Sequence, residues 1–297
     1  MRLHRNGMGV GCLALLVTAL CALGLAGNAS AKLTGDFTAF EQCPLTNPEA
    51  SRCFYSVVEG GEIAVGAVKV PLVNPVTVQG GSTKTVEGFS SLVGAGNGMT
   101  LSGSSQPIPG GLAFLVPSGK APPLVKVLLK AFSGSRLNQV SATLELARPA
   151  SEVQLSEIHF AEEEGVGMKL PVKVHLENPL LGSNCYIGSS TSPIVLEFTT
   201  GTTSPPPPNL PIKGSSGEVA LLDEGRVLRL GGGELVDNAW SAPKASGCGG
   251  FLSPLVTPIV NSRLGLPSPA GHNSAVLKST ISVATAVAVR KNDEENP

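Results

Sequence analysis

Strict two-residue alternation is the pattern that most limits how this chain can fold. From Lys169 to Glu177, the apolar side chains Leu170, Val172, Val174 and Leu176 fall on one side, and Lys173, His175 and Glu177 fall on the other. Val140, Ala142, Leu144 and Leu146 alternate in the same way with Ser141, Thr143 and Glu145. A helix cannot sort such a pattern onto one face, whereas a strand does so at every residue. Both stretches therefore predict antiparallel strands with one buried and one wet face. Further strands are expected at 54–58, 63–70, 76–79, 194–199, 218–222, 226–230 and 275–289, with a hairpin turn at Asp223-Glu224-Gly225. The 36 glycines and 24 prolines cut the apolar runs into short pieces. The expected fold class is all-β, an antiparallel sandwich-like arrangement with many turns.

Three segments depart from that pattern. Pro122-Pro123 precedes an apolar stretch holding Lys126 and Lys130, which predicts a short helix over 123–132. Two lysines attract anionic lipid only weakly, so its leucines are expected to pack on the sheet rather than on a membrane. Ser204 to Asn209, with four consecutive prolines, reads as a stiff extended connector more than as a docking ligand. The polar tail 291–297 is expected to be disordered.

An internal echo bears on domain organisation. Val68-Lys69-Val70-Pro71-Leu72-Val73-Asn74-Pro75 and Val172-Lys173-Val174-His175-Leu176-Glu177-Asn178-Pro179 agree at six of eight positions. Each is an alternating strand stopped by Asn-Pro, because proline cannot continue a ladder. A Gly-Gly pair with apolar residues beyond follows in each half, at Gly110-Gly111 and Gly249-Gly250. The echo is either chance likeness between two strands or the mark of two related β units, at 32–148 and 149–290.

The N-terminus carries an address. Arg2, His4 and Arg5 precede an uninterrupted apolar run from Val10 to Gly27, and Ala29-Ser30-Ala31 follows. This is the order of a secretory signal peptide over 1–31, cut before Lys32. An uncleaved anchor fits the small-residue site less well, and Cys21 lies in a poor setting for lipidation. Without that segment no stable membrane span is expected, and the mature chain is expected to be secreted or held at the cell envelope.

Four cysteines lie beyond the cleavage site: Cys43, Cys53, Cys185 and Cys248. An even count in an exported chain predicts two disulfides. Cys43 and Cys53 bracket the turn-rich Pro44-Leu45-Thr46-Asn47-Pro48, so the simplest pairing is Cys43–Cys53 with Cys185–Cys248. No Cys-x-x-Cys occurs, and no histidine stands at ligand spacing from a cysteine, so no metal site is assigned.

Composition narrows the function classes. Charged residues make up 14% of the chain and the formal net charge is −1, which argues against nucleic acid as a partner. Aromatic residues are only 4%, so few rings are left to form a stacking platform. Beyond the signal segment the histidines are His159, His175 and His272, and none stands in a nucleophile motif. Gly-x-Ser-x-Gly is absent, and Gly214-Ser215-Ser216-Gly217 reads as a turn. Gly80-Gly81-Ser82-Thr83-Lys84-Thr85 lacks phosphate-loop spacing. Glu162-Glu163-Glu164 reads as a solvated hairpin tip more than a Ca²⁺ loop. No catalytic residue and no cofactor are assigned. Tyr186, Trp240 and His272 are the candidate binding residues, for a ligand in the extracellular space or cell wall. Should the chain instead be a hydrolase with a dispersed active site, His272 is the first candidate base.

Several phrases carry a resemblance. They are Phe40-Glu41-Gln42-Cys43-Pro44, Cys53-Phe54-Tyr55-Ser56, Asn178-Pro179-Leu180-Leu181-Gly182-Ser183-Asn184-Cys185-Tyr186, Gly247-Cys248-Gly249-Gly250, and Gly265-Leu266-Pro267 with Gly271-His272-Asn273. Together they resemble an uncharacterised group of exported proteins from high-GC Gram-positive bacteria. The resemblance implies export and a compact, disulfide-bearing fold, and it implies no activity.

Overall fold

The structure is a computed structural model that describes residues 33–115, 123, 126–127 and 138–296. The signal segment 1–31 lies outside the described residues. So does the expected helix over 123–132, apart from Pro123, Lys126 and Val127, which are helical.

The fold is all-β and sandwich-like. The first strands are β1 (Arg52–Val65), β2 (Val68–Pro71), β3 (Val76–Ser82), β4 (Ser90–Gly94), β5 (Leu101–Gly103) and β6 (Gln106–Pro107). Next come β7 (Ser141–Leu146), β8 (Gln154–Leu155), β9 (Met168–Glu177), β10 (Tyr186–Ile187) and β11 (Ile194–Phe198). The last are β12 (Glu218–Leu222), β13 (Val227–Asp237), β14 (Ala245–Ser246) and β15 (Ser274–Thr285). The main path runs β12-β13-β15-β1-β3-β4-β8-β9-β10-β14, and β4 joins its two parts by pairing with both β3 and β8. The ladders along this path are antiparallel. Among the described residues, the helices that can be bounded are α1 (Gly111–Leu115), α2 (Glu157–Glu162), α3 (Ser253–Leu264) and α4 (Ala286–Glu295).

The two sequence halves are interlaced. β1 lies between β15 and β3, and β7 pairs with β9 along its whole length. The division at 148/149 therefore separates no two sheets. The echoed octapeptides also take different places, since β2 pairs with β1 alone while β9 carries β7, β8, β10 and β11. The main core draws on both halves, with Phe54 and Val58 from β1, Val172 and Leu176 from β9, and Ile281 from β15.

Other differences from the sequence reading have local causes. The stretch 63–70 is a hairpin rather than one strand, because Gly66 turns the chain at φ +55°. The acidic cluster is no hairpin tip: α2 ends in it, with Glu163 left-handed at φ 57°. α3 starts with proline in its first turn, stops at Gly265 (φ 69°) and buries Val256, Val260 and Leu264 along one side. The tail 291–297 is not disordered through Glu295, because α4 continues that far. The Thr285 hydroxyl accepts from Ala288 N–H and ends β15, Val289 is fully buried, and Asn292 Oδ1 accepts from Thr34 N–H. α4, the 3-10 turn Gly35–Phe40 and the Cys43–Cys53 bridge enclose a second, smaller core with Phe37, Phe40 and Val227. Both expected disulfides are present, Cys43–Cys53 and Cys185–Cys248.

Candidate functional site

Alternation along β9 sets Lys173, His175 and Glu177 on its wet face, and register supplies their neighbours. Glu145, Thr143 and Ser141 of β7 lie opposite them, and Tyr186 of β10 lies opposite His175 on the other side. The His175 and Tyr186 rings stack at 4.4 Å between centroids with 13° between planes. Lys173 Nζ sits 4.3 Å from the Tyr186 ring centre and 3.0 Å from the Glu145 carboxylate. Glu177 accepts from the Thr143 hydroxyl at 2.9 Å and from Ser141 at 3.3 Å. Tyr186 donates to Glu145 at 3.4 Å, and burial, followed by the Glu145 charge, pushes the phenol above its ordinary value. Tyr186 is thus drawn into an array that satisfies most of its own charges.

The other histidines are placed elsewhere. His159 Nδ1 lies 2.8 Å from the Val166 carbonyl, and its ring meets Phe89 edge-on. His272 is exposed in its loop. Its neighbour Asn273 is buried and fixes that loop, accepting from Gly66 N–H and donating to the Trp240 and Pro269 carbonyls. Trp240 itself is only 5% exposed and belongs to the main core. Trp240, one of the candidate binding residues, therefore presents its ring to the core and not to the surface. Asn209, at the end of the proline run, donates to the Asn238 and Asn273 carbonyls, which seats the connector against the same loop. Glu163 accepts from the Ser216 N–H and hydroxyl, which, with Lys213 at 3.5 Å, hold its carboxyl below the usual range.

Asp237, at the end of β13, is the buried titratable group that departs furthest. Burial pushes its carboxyl up to about 6, against the downward pull of N–H groups from Ala239 and Glu197. A raised folded value means that its stabilising contribution is complete below pH ~4 and is lost as pH rises through ~6. Urea titrations of the wild type should lose about 2–3 kcal/mol between pH 4 and 7 relative to Asp237→Asn, whose side chain does not titrate. A pH-independent gap between the two would refute the assignment.

A polar concavity lies elsewhere, on the outer face of β1, β3 and β5. It encloses about 510 Å³. Its floor is Tyr55, Thr77, Gln79 and Ser102, its wall is the segment ending in Glu41 and Gln42, and Asn97 stands at one end. Tyr55 and Gln79 are direct cross-strand partners, as are Thr77 and Ser102, whose hydroxyls bond to each other. No family model, curated protein or solved structure matches this chain. The site is accordingly read from its own residues.

Sequence reasoning placed His175 on the polar face of its strand and paired the cysteines, but it missed the stacking of Tyr186 on His175 and the cleft. Gln42, Tyr55, Gln79 and Asn97 are scattered over four segments with no motif spacing, and only the β1–β3 register brings two of them together. Among the described residues, no three His, Cys, Asp or Glu side chains are placed to hold a metal ion. No described helix is long and apolar enough to cross a membrane.

Proposed function

We propose that this chain is an exported, non-catalytic β protein of the extracellular space or cell envelope, acting by binding or structural association with a wall or extracellular ligand. One observation carries the reading. Among the described residues, no histidine side chain is hydrogen-bonded to a serine, threonine or cysteine, so none is placed to activate a nucleophile. His175 is instead held between a ring and two carboxylates, and His159 by a carbonyl. The signal-like N-terminus, the two disulfides and the resemblance to exported proteins support the location.

Fractionation of producing cells should recover the chain outside the cytoplasm, starting at Lys32 and with all four cysteines oxidised. Purified protein should turn over no ester, peptide or glycan substrate. His159→Ala, His175→Ala and His272→Ala should each retain binding to isolated wall material. Turnover abolished by His272→Ala alone, with folding preserved, would overturn the proposal in favour of an extracellular hydrolase.

A further inference from the structure

We infer that the cleft over Tyr55 is a binding site for a neutral saccharide, recognised by side-chain amides and hydroxyls around one aromatic ring. The inference deepens the binding role proposed above and rests on it.

The lining dictates the ligand's charge. Glu41 is the single carboxylate among its residues, and there is no lysine or arginine. A phosphate or a carboxylate ligand would find no cation there. The remaining polar groups are amides, hydroxyls and a phenol, which donate and accept from the same small area. Hydroxyl groups on a sugar ring require that mixture. A sugar also presents a C–H face, and Tyr55 supplies the ring for it.

Several of these groups have no protein partner among the described residues. Gln79 donates through Nε2 to the Met99 carbonyl, which leaves its amide oxygen free. Asn97 Oδ1 accepts from Met99 N–H, which leaves its amide nitrogen free. The side-chain amide of Gln42 and the hydroxyl of Tyr55 are likewise unpaired within the protein. Burial, with the Glu59 charge, pushes the Tyr55 phenol above its ordinary value, so the hydroxyl remains a donor at neutral pH.

The cleft is also fixed in shape before anything binds. The Cys43–Cys53 bridge ties the wall, one residue beyond Gln42, to the floor, two residues before Tyr55. The Gln42 carbonyl accepts from Gly96 N–H and locks the wall to the loop that carries Asn97. Tyr55 packs against the second core, which fixes its ring. Such preorganisation lowers the ordering cost of binding. The volume of about 510 Å³ falls within the roughly 300–1,000 Å³ typical of small-ligand sites. A peptide strand is a poorer occupant. β1 and β3, which carry Tyr55, Thr77 and Gln79, both have neighbours on each side, so neither offers a free backbone edge for an added strand.

Titration calorimetry with tetramers of glucose, mannose, galactose, arabinose and N-acetylglucosamine tests the inference on the exported protein. At least one tetramer should bind with a Kd below about 1 mM. Gln79→Ala and Gln42→Ala should each weaken it fivefold or more, and Tyr55→Phe, which keeps the core contact, should weaken it measurably. His175→Ala should leave it unchanged. Failure of every tetramer to bind at millimolar concentration overturns the inference, as does binding that ignores Gln79→Ala and Gln42→Ala together. Retention on isolated wall material separates the two claims. Retention untouched by the cleft variants sinks the saccharide site and spares the binding role, whereas loss of all retention together with enzymatic turnover sinks both.

Discussion

Alanine at both Cys185 and Cys248 is expected to cost about 4 kcal/mol of folding stability by loop entropy. The bridge spans 63 positions, and the enclosed loop contains β10 to β14 and the proline connector. Both sulfurs are fully buried, so the folded state gains no solvation to offset the loss. The same treatment of Cys43 and Cys53, 10 positions apart, costs roughly 2.5–3 kcal/mol because a short loop has less entropy to lose. Urea unfolding of the two double-alanine variants measures the difference. Equal costs, or a larger cost for the short bridge, would show that chain entropy does not govern these crosslinks. The functional consequences should run the other way. The short bridge holds the wall of the Tyr55 cleft, so its loss should weaken saccharide binding more than loss of the long bridge does.

The strands were legible where one side of the chain is apolar and the other polar. Lys169–Glu177 and Ser141–Leu146 form strands in β9 and β7, although β7 is half-buried at every residue rather than buried on one face and wet on the other. The disulfide pairing was legible from the turn-rich spacer between Cys43 and Cys53. Three kinds of information were not local. Pairing across the halves depends on β1 meeting β15, and nothing in either strand names its partner. Helix α4 continues a β-branched, apolar run, and the switch from strand to helix rests on one threonine cap and one buried asparagine. A polar tail with those contacts reads as disordered until Thr34 is seen beside it. Trp240 was a candidate binding residue, yet it lies in the main core with its carbonyl held by Asn273, and sequence spacing does not reveal that burial. The cleft has the same origin, since its groups come from separate segments that only the β1–β3 register and a short disulfide bring together.

Phe160→Ala is expected to cost about 3–5 kcal/mol, and the partner that decides its local fit is a glycine. Phe160 is fully buried on α2, within the main core. A Cβ at Gly167 would lie 2.3 Å from the ring's Cδ1 and 2.4 Å from Cε1, so the chain passes directly over the ring face. Gly167→Ala therefore forces either the ring or the β9 approach to move, at about 1–3 kcal/mol. Removing the ring removes the clash, and the added methyl then occupies part of the vacated space. The double variant should be more stable than the summed single costs predict by about 1–3 kcal/mol. Additive costs, within about 0.5 kcal/mol, would mean that the backbone yields without involving Phe160. The coupling also reaches past α2. The Thr200 hydroxyl donates to the Phe160 carbonyl, and Glu163 at the end of the helix holds Ser216. Loss of the ring should therefore loosen the loops before β12 as well as the core beneath them. Faster amide exchange at Gly201 and Ser216 in Phe160→Ala, with no change at Cys53, would register that local effect.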